Sequence, residues 1–196
     1  MKMKSLREIQ RLLDGESPLV VFNCDSIHDA RNAFYKLRKR YDFPYWAALD
    51  HSVPDKDNPC LTVPLLLNQY QYHVVDVFST VALEGRRGLY LISKSVPKCG
   101  LSTVVQAYIL WLQIYTLHSN SISYTSSDDE ICRFKASLCK TLKKDRIYEG
   151  DRISVTDTDA AAYFYSYMSS GTLSGIDCGF VHLADMSKWN ARTAAR

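Results

Sequence analysis

Residues 89–117 read LYLISKSVPKCGLSTVVQAYILWLQIYTL, and this stretch is the most informative about the fold. It begins with an apolar run that predicts a buried strand, continues with a loop that carries two lysines, and ends with a long apolar helix over 104–117. A strand, a glycine-bearing loop and a helix in this order form a phosphate cradle. The amides of the loop and of the helix start point at the anion, and the helix dipole favours negative charge. The order of elements therefore predicts a nucleotide-binding loop.

The loop fits the phosphate-binding pattern G-x-x-x-x-G-K-[ST] only in part. Laid over residues 95–102, the pattern finds Gly100 and Ser102 in their expected places. Ser95 stands where the first glycine is expected, and Leu101 stands where the lysine is expected. An ordinary strand-to-helix turn is the alternative interpretation, because short glycine motifs also match by chance.

Two lysines flank the loop and supply the charge that the pattern lacks at position 101. The flexible four-carbon stem of Lys94 or Lys98 can bring its ammonium group back to the phosphates. Ser102, with Thr103 beside it, is placed to give a hydroxyl ligand to a nucleotide-bound Mg²⁺, which prefers few protein ligands together with phosphate oxygens and water. The electrostatics of a phosphate loop are therefore expected in spite of the incomplete pattern.

The chain after this stretch alternates strands and helices. Residues 121–126 predict a strand, 128–144 a helix with apolar residues at helical spacing, and 178–189 an apolar strand that ends in the carboxylate of Asp185. In phosphate-loop ATPases a carboxylate at the end of a neighbouring parallel strand holds Mg²⁺ or its water shell. The loop and the acidic strand together predict a nucleotide site.

These residues resemble a known family. The runs LISKSVPKCGLSTVVQAYILW at 91–111 and GFVHLADMSKW at 179–189 are similar to the ATPase domain of the large subunit of tailed-phage terminases, the DNA-packaging motors. Upstream, YDFPYWA at 41–47, DKDN at 55–58 and VPLLLNQYQ at 63–71 resemble the segment that precedes the ATP loop in those proteins. The resemblance spans roughly residues 41–189, and the order and spacing of the motifs carry it.

The resemblance implies where ATP would bind. Asn68 and Gln71 match the adenine-side motif, and the loop matches a variant of the family's ATP loop in which the lysine lies at the loop's start. A basic residue at the position of Lys98 is implied to act on the phosphates. The nucleotide-binding residues predicted in this way are Lys94, Lys98, Gly100, Leu101, Ser102, Thr103, Asn68 and Gln71.

The resemblance also implies catalytic and metal-binding residues. Asp185 matches the acid of the second ATPase motif, so Asp185 and Lys98 are the predicted catalytic residues and Ser102 and Asp185 the predicted ligands of Mg²⁺. ATP and Mg²⁺ are the implied cofactors. Family members end this strand in Asp-Glu or Ser-Glu, whereas this chain has Ala184 before Asp185. Hydrolysis depends on the positioning of the attacking water, so a catalytically silent nucleotide-binding or assembly module that retains the fold is the alternative function.

The predicted fold is a three-layer P-loop NTPase-like α/β fold with a mostly parallel central sheet and helices on both faces. Residues 61–196 would form this domain, and residues 1–60 would form a helical N-terminal segment followed by an extended linker. Within that segment, 19–22 predict a short strand or a hydrophobic staple. Three prolines at positions 44, 54 and 59 predict an irregular, extended course. Further along, 153–156 and 160–167 predict two strands or a hairpin.

The resemblance implies the partners of a packaging motor. These are double-stranded DNA, the portal, the small terminase subunit and further copies of the chain in a homo-oligomer, in the cytoplasm of a phage-infected or prophage-bearing bacterium. The chain ends at Arg196, before the nuclease domain that a whole large subunit would have. A DNA-binding protein with no nucleotide role is a third hypothesis, which predicts steeply salt-dependent DNA affinity.

Composition agrees with one α/β core and excludes several classes of protein. Of 196 residues, 46% are hydrophobic, enough to bury a sizeable core, and the net charge of +3 is too small to indicate nucleic-acid binding by itself. The six cysteines show no C-x-x-C pairing and no zinc-site pattern, so buried, reduced thiols are expected. The charged start MKMKSLREIQRLL predicts no signal peptide, and polar residues within 101–117 predict a buried helix instead of a membrane span.

Overall fold

The computed structural model describes residues 2–55, 57–58, 60–84, 99–116, 119–125, 128–142, 146–150, 152–166 and 178–184. The chain divides into two compact units, Met1–Leu66 and Leu67–Arg196. The predicted division after residue 60 separated a helical segment and linker from an ATPase-like domain. In the structure the first unit has a small core of its own.

Four helices and a two-stranded antiparallel sheet make up the described part of the first unit. They are α1 (Lys2–Leu13), α2 (Pro18–Phe22), α3 (Ile27–Tyr41), α4 (Phe43–Asp50), β1 (Ser52–Pro54) and β2 (Thr62–Pro64). The core of the unit includes Phe43 and Trp46, which are 1% and 2% exposed and whose ring centroids lie 6.0 Å apart. Helices α1 and α3 lie within the segment 1–60 that was predicted to be helical at its start.

Residues 19–22 form part of the short helix α2, not the predicted strand. Pro18 lies in its first turn, where the missing amide hydrogen costs no intrahelical hydrogen bond. Asn23 ends the helix in the left-handed conformation, with φ of 50°, and donates its backbone N–H to the carbonyls of Leu19 and Val20. The proline and the asparagine at the two ends are local signals for a helix. The strand prediction rested on the apolar run between them and did not use these signals.

Residues 44–60 also differ from the extended linker predicted for them. Pro44 lies in the first turn of α4, and the side chain of Asp42 caps this helix by accepting a hydrogen bond from Tyr45 N at 3.0 Å. The chain then continues into the β1–β2 hairpin, where Val53 pairs with Val63. Proline predicted a break in secondary structure here, but at a helix start it is compatible with the helix.

The described part of the second unit contains three helices and a five-stranded sheet. They are α5 (Gln69–Glu84), α6 (Leu101–Tyr115), β3 (Ser121–Thr125), α7 (Asp128–Leu142), β4 (Arg146–Glu149), β5 (Arg152–Val155), β6 (Ala160–Ser166) and β7 (Phe180–Leu183). The predicted α/β class is confirmed at this level. The strand predicted over 88–93 lies outside the described residues.

The sheet is mixed, with strand order β4-β5-β6-β3-β7. The central strand β3 is parallel to both β6 and β7, with Ser123 opposite Phe164 on one side and His182 on the other. Strands β4, β5 and β6 form an antiparallel meander, which confirms the predicted hairpin over 153–167 and adds β4 before it. Half of the described pairings are thus antiparallel, whereas a mostly parallel sheet was predicted.

Helix α7 packs on the sheet through aromatic rings. The ring of Phe134 meets that of Phe164 on β6 edge to face, with centroids 5.0 Å apart, and both residues are 1% exposed. Ile131, one turn before Phe134, is also buried. The helical spacing of apolar residues in the sequence predicted this buried face of α7.

Helix α6 is buried around most of its circumference, with Val104, Tyr108 and Leu110 each 3% exposed or less. A helix that is apolar on nearly all sides belongs in a protein core or in a membrane. Within the described residues, no helix combines the length and the apolar character needed to span a bilayer. The prediction of a buried α6 is confirmed.

Candidate functional site

The turn at Gly100 starts helix α6. Gly100 is the N-cap residue and has φ of 76° and ψ of 17°, a left-handed conformation that L residues other than Asn and Asp rarely adopt. Among the described residues no side chain caps α6, in contrast to α3 and α4, which are capped by Ser26 and Asp42. The first backbone N–H groups of a helix have no intrahelical acceptor, so the start of α6 offers donors to an anion.

Three residues predicted to bind nucleotide follow in the first turn of α6. Leu101 and Thr103 are half-buried, and Ser102 is exposed to solvent. The hydroxyl of Ser102 is therefore accessible from outside the protein, as a metal ligand or phosphate contact requires. Leu101 brings an apolar side chain to the position where the phosphate-loop pattern has lysine.

Asn68 and Gln71 form a reciprocal cap at the start of α5. Gln71 N donates to Asn68 Oδ1, and Asn68 N donates to Gln71 Oε1, each at 2.9 Å. This is the geometry of a capping box, in which the N-cap residue and the third helical residue satisfy each other's backbone donors. The N-x-x-Q spacing ahead of an apolar run is a sequence signal for such a cap, and the sequence interpretation, which assigned both residues to adenine, did not use it.

Gln71 also connects the start of α5 to the turn before α6. Its Nε2 donates to the carbonyl oxygen of Cys99 at 3.0 Å, a contact between residues 28 positions apart. A Cβ atom at Gly100 would lie only 2.8 Å from the same Nε2. The structure thus brings together Asn68, Gln71, Cys99 and Gly100, which the sequence placed in two separate motifs.

Aromatic packing positions α5 and α6 against the strand that precedes Asp185. The rings of Phe78 on α5 and Tyr108 on α6 lie 5.2 Å apart, and both contact Phe180 at the start of β7, at 5.3 and 5.9 Å. Burial of Tyr108 raises the pKa of its phenol, and a hydrogen bond with Ser79 opposes that shift. The three elements that would carry the nucleotide site therefore share one packed cluster.

The far end of α6 is anchored by buried polar contacts. Gln113, which is 1% exposed, donates from Nε2 to Ser121 Oγ at 3.0 Å and to Ser119 O at 3.3 Å. The hydroxyl of Thr158, which precedes β6, donates to the backbone carbonyl of Gln113. These bonds join the end of α6 to the beginnings of β3 and β6. They fix the position of the end of α6 relative to the parallel strands β3 and β6.

Three of the predicted site residues, Lys94, Lys98 and Asp185, lie outside the described residues. The chain is described as far as Ala184, which is 6% exposed and donates its backbone N–H to Tyr124 O at 2.9 Å. In the sequence Asp185 is therefore the second residue after a strand that is paired in parallel with β3. Its approach to the turn at Gly100 stays a prediction.

Other candidate groups for catalysis are few in the described ranges. No cluster of three or more His, Cys, Asp or Glu residues within those ranges is arranged to hold a metal. Cys99 is half-buried and reduced, and His182 is half-buried with its Nδ1 at 3.1 Å from Ser123 Oγ.

Comparison of the chain with protein-family models, with curated proteins and with solved structures finds no match. Arguments about function therefore rest on the residues and their geometry.

Proposed function

We propose that this chain binds Mg-ATP and acts as the ATPase domain of a phage terminase large subunit, within a P-loop NTPase-like fold. The observation that carries the proposal is the contact between the adenine-side motif and the loop. Gln71 and Gly100 belong to motifs that the resemblance assigns to one nucleotide. The side chain of Gln71 donates a hydrogen bond to the carbonyl before Gly100 and lies against Gly100 itself. A nucleotide bound by both motifs would require them to lie this close together.

The described residues fit the phosphate end of a nucleotide. The turn at Gly100 and the uncapped start of α6 present backbone donors, and the exposed hydroxyl of Ser102 is available to Mg²⁺. Lys94 or Lys98 would neutralise phosphate charge, and Asp185 would hold the metal's water or orient the attacking water. When bound, Mg²⁺ would offset the negative charge on the phosphate oxygens.

Loss of the two loop lysines tests nucleotide binding. The double variant Lys94→Ala/Lys98→Ala is expected to weaken Mg-ATP binding by at least about tenfold, because hydrogen bonds to charged groups contribute about 1.5–3 kcal/mol each. The dissociation constant is measured by titration calorimetry. The double variant Arg31→Ala/Lys36→Ala, at exposed positions of α3, removes the same charge from the first unit and should leave the affinity unchanged. Equal affinity of the wild type and the lysine variant would contradict the proposed role of the loop.

A hydrolysis-silent nucleotide-binding or assembly module is the second candidate function. The sequence at the end of β7 favours it, because the position before Asp185 holds Ala184, which is buried and has no carboxylate. A phosphate-release assay on ATP-bound protein distinguishes the two functions. Phosphate release that Asp185→Asn abolishes supports the ATPase, whereas ATP binding without release supports the silent module.

The partners follow from the proposed motor. Double-stranded DNA, the portal, the small terminase subunit and further copies of this chain are the partners that a complete packaging motor would engage. A thermal shift with Mg-ATP separates this proposal from a DNA-binding protein with no nucleotide role, because only a ligand that binds the folded state raises the unfolding midpoint.

A further inference from the structure

Both the oxygen and the nitrogen of the Gln71 side-chain amide make hydrogen bonds within the protein. The oxygen Oε1 accepts a hydrogen bond from Asn68 N, and the nitrogen Nε2 donates one to Cys99 O. The residue is 6% exposed, so little of its surface can meet a ligand. A side chain that reads a base needs an accessible amide edge, because base recognition depends on hydrogen bonds to exposed donors and acceptors.

Asn68 differs from Gln71 in exposure. It is exposed at the surface, and its Oδ1 caps Gln71 N. The two amides that the resemblance assigns together to adenine are therefore in unlike environments, one at the surface and one buried against the turn. Gln71 contacts the part of the loop that would meet phosphate instead of a base.

The turn has little freedom at this contact. Gly100 has a positive φ, and the space where a Cβ would stand is taken by Gln71 Nε2 at 2.8 Å. The hydrogen bond to the preceding carbonyl fixes the orientation of the peptide group that leads into Gly100. The side chain of Gln71 thus holds both the position and the direction of the backbone at the start of α6.

We propose that Gln71 is a positioning residue that holds the Cys99–Gly100 turn in the conformation that binds phosphate, so that it supports triphosphate binding whatever the base. This inference rests on the proposed nucleotide site for its functional consequence, while the contact itself is independent of any ligand. It assigns to Gln71 a role in presenting the loop in place of recognition of adenine.

The variant Gln71→Glu tests this role with little change of shape. The carboxylate keeps an oxygen for Asn68 N but removes the donor to Cys99 O and places a charge against that carbonyl. Affinities for Mg-ATP, Mg-GTP and inorganic tripolyphosphate are all expected to fall by a similar factor, about tenfold, which is what the loss of one buried hydrogen bond gives. A loss confined to ATP, with the other two ligands unaffected, would overturn the proposal and restore base reading.

Asn68→Ala is the matched control, since it removes the side chain that caps α5 but leaves the donor of Gln71 to Cys99. If Gln71 acted only by capping α5, Gln71→Glu, which keeps the acceptor for Asn68 N, would weaken tripolyphosphate binding no more than Asn68→Ala does. A larger loss in Gln71→Glu, at matched unfolding midpoints, supports the positioning role. Equal losses would contradict it.

Reactivity of the Cys99 thiol provides a readout that needs no nucleotide. Cys99 is half-buried, so loosening the turn should raise its rate of modification by a thiol reagent, and we expect an increase of about tenfold in Gln71→Glu from loss of the bond. Peptide mapping by mass spectrometry resolves the site, with exposed Cys60 as the internal reference. An unchanged Cys99 rate would refute the restraint. A wild type that binds none of the three ligands would refute the nucleotide site, but the thiol rate would still test the contact.

A second variant approaches the same contact from the loop. Gly100→Ala places a methyl group against Gln71 Nε2, whereas Gly150→Ala introduces comparable strain, at φ of 55°, with no atom of the described residues within 4 Å of the new Cβ. Gly100→Ala should increase Cys99 reactivity and weaken tripolyphosphate binding, and Gly150→Ala should do neither. Matching effects of the two substitutions would count against the contact as the cause.

Discussion

Asn68 and Gln71 show how one pair of amides can carry two interpretations. The sequence interpretation assigned them to adenine, whereas in the structure they cap α5 and Gln71 also donates a hydrogen bond to Cys99 O. A capping box also places its two partners three residues apart, so the spacing of Asn68 and Gln71 does not distinguish the two interpretations. Only the burial of Gln71, together with its contact to Cys99, separates the two roles.

His51 is a buried residue whose ionisation should affect stability. It is 5% exposed, its ring stacks on Trp46 at 5.6 Å, and its Nδ1 has no hydrogen-bond partner among the described residues. Burial lowers the pKa of His51 below the ordinary value of 6.5. Between the two pKa values, His51 is therefore protonated in the unfolded chain and neutral in the folded chain. The contribution of neutral His51 to the stability of the first unit is fully present above pH 6.5 and is lost as the pH falls from there toward the lowered pKa.

We expect the wild type to unfold at a lower temperature at pH 5.5 than at pH 7.5, and His51→Phe to reduce that difference. Phenylalanine keeps the stacking on Trp46 but cannot take up a proton. Thermal unfolding followed by circular dichroism at the two pH values measures the change. His28→Gln, at an exposed position of α3, is the control and should retain the full pH dependence. The same dependence in His51→Phe as in the wild type would contradict the assignment.

Helix starts in this protein are of two kinds. Helix α3 is capped by Ser26 Oγ, which accepts a hydrogen bond from Asp29 N at 3.1 Å and donates one to Asp29 Oδ2 at 2.7 Å. Helix α6 starts at Gly100 with no side-chain cap from the part of the chain that the structure describes. A side-chain cap satisfies one of the first backbone donors of a helix, whereas an uncapped start retains that donor as well for solvent or a ligand. Of these two helices, only α6 suits an anion.

Removal of the cap of α3 should have a measurable cost. Ser26→Ala is expected to lower the free energy of unfolding by about 1 kcal/mol, which is typical for the loss of an N-cap hydrogen bond. Ser17→Ala is the matched control, because Ser17 occupies the N-cap position of α2 but makes no side-chain capping bond. Urea denaturation provides the free energies. A loss in Ser17→Ala as large as that in Ser26→Ala would show that the cost does not come from the cap.

The division into two units makes a prediction for the molecule as a whole. Every residue proposed to bind nucleotide lies in Leu67–Arg196, which has its own sheet and buried core. We expect a fragment of residues 67–196 to unfold cooperatively and to bind Mg-ATP within about twofold of the whole chain, as compact domains with their own core can fold alone. Titration calorimetry and thermal melts check this, with residues 1–66 as the control that should not bind. A fragment that melts without a cooperative transition would contradict the prediction.

Much of the secondary structure was predictable because its signals are local. The apolar periodicity of α5, α6 and α7, the serine before α3 and the alternating hairpin of β5 and β6 all lie within short windows of sequence. The predictions failed at α2, where the apolar run 19–22 was interpreted as a short strand or a hydrophobic staple, and at α4, where Pro44 was interpreted as part of an extended course although it lies in the first turn of the helix. The parallel share of the sheet was also overestimated, since strand direction depends on pairing between distant segments.

The candidate site divides in the same way. The local residue pattern was enough to indicate a glycine turn ahead of a buried helix and an apolar strand leading to Asp185. It also indicated a pair of amides at the start of α5. Each of these features depends on a few neighbouring side chains. The pairing of β3 with both β6 and β7, and the contact of Gln71 with Cys99 across 28 positions, arose only on folding. Such contacts depend on which apolar faces pack together, and that competition is decided by the whole core.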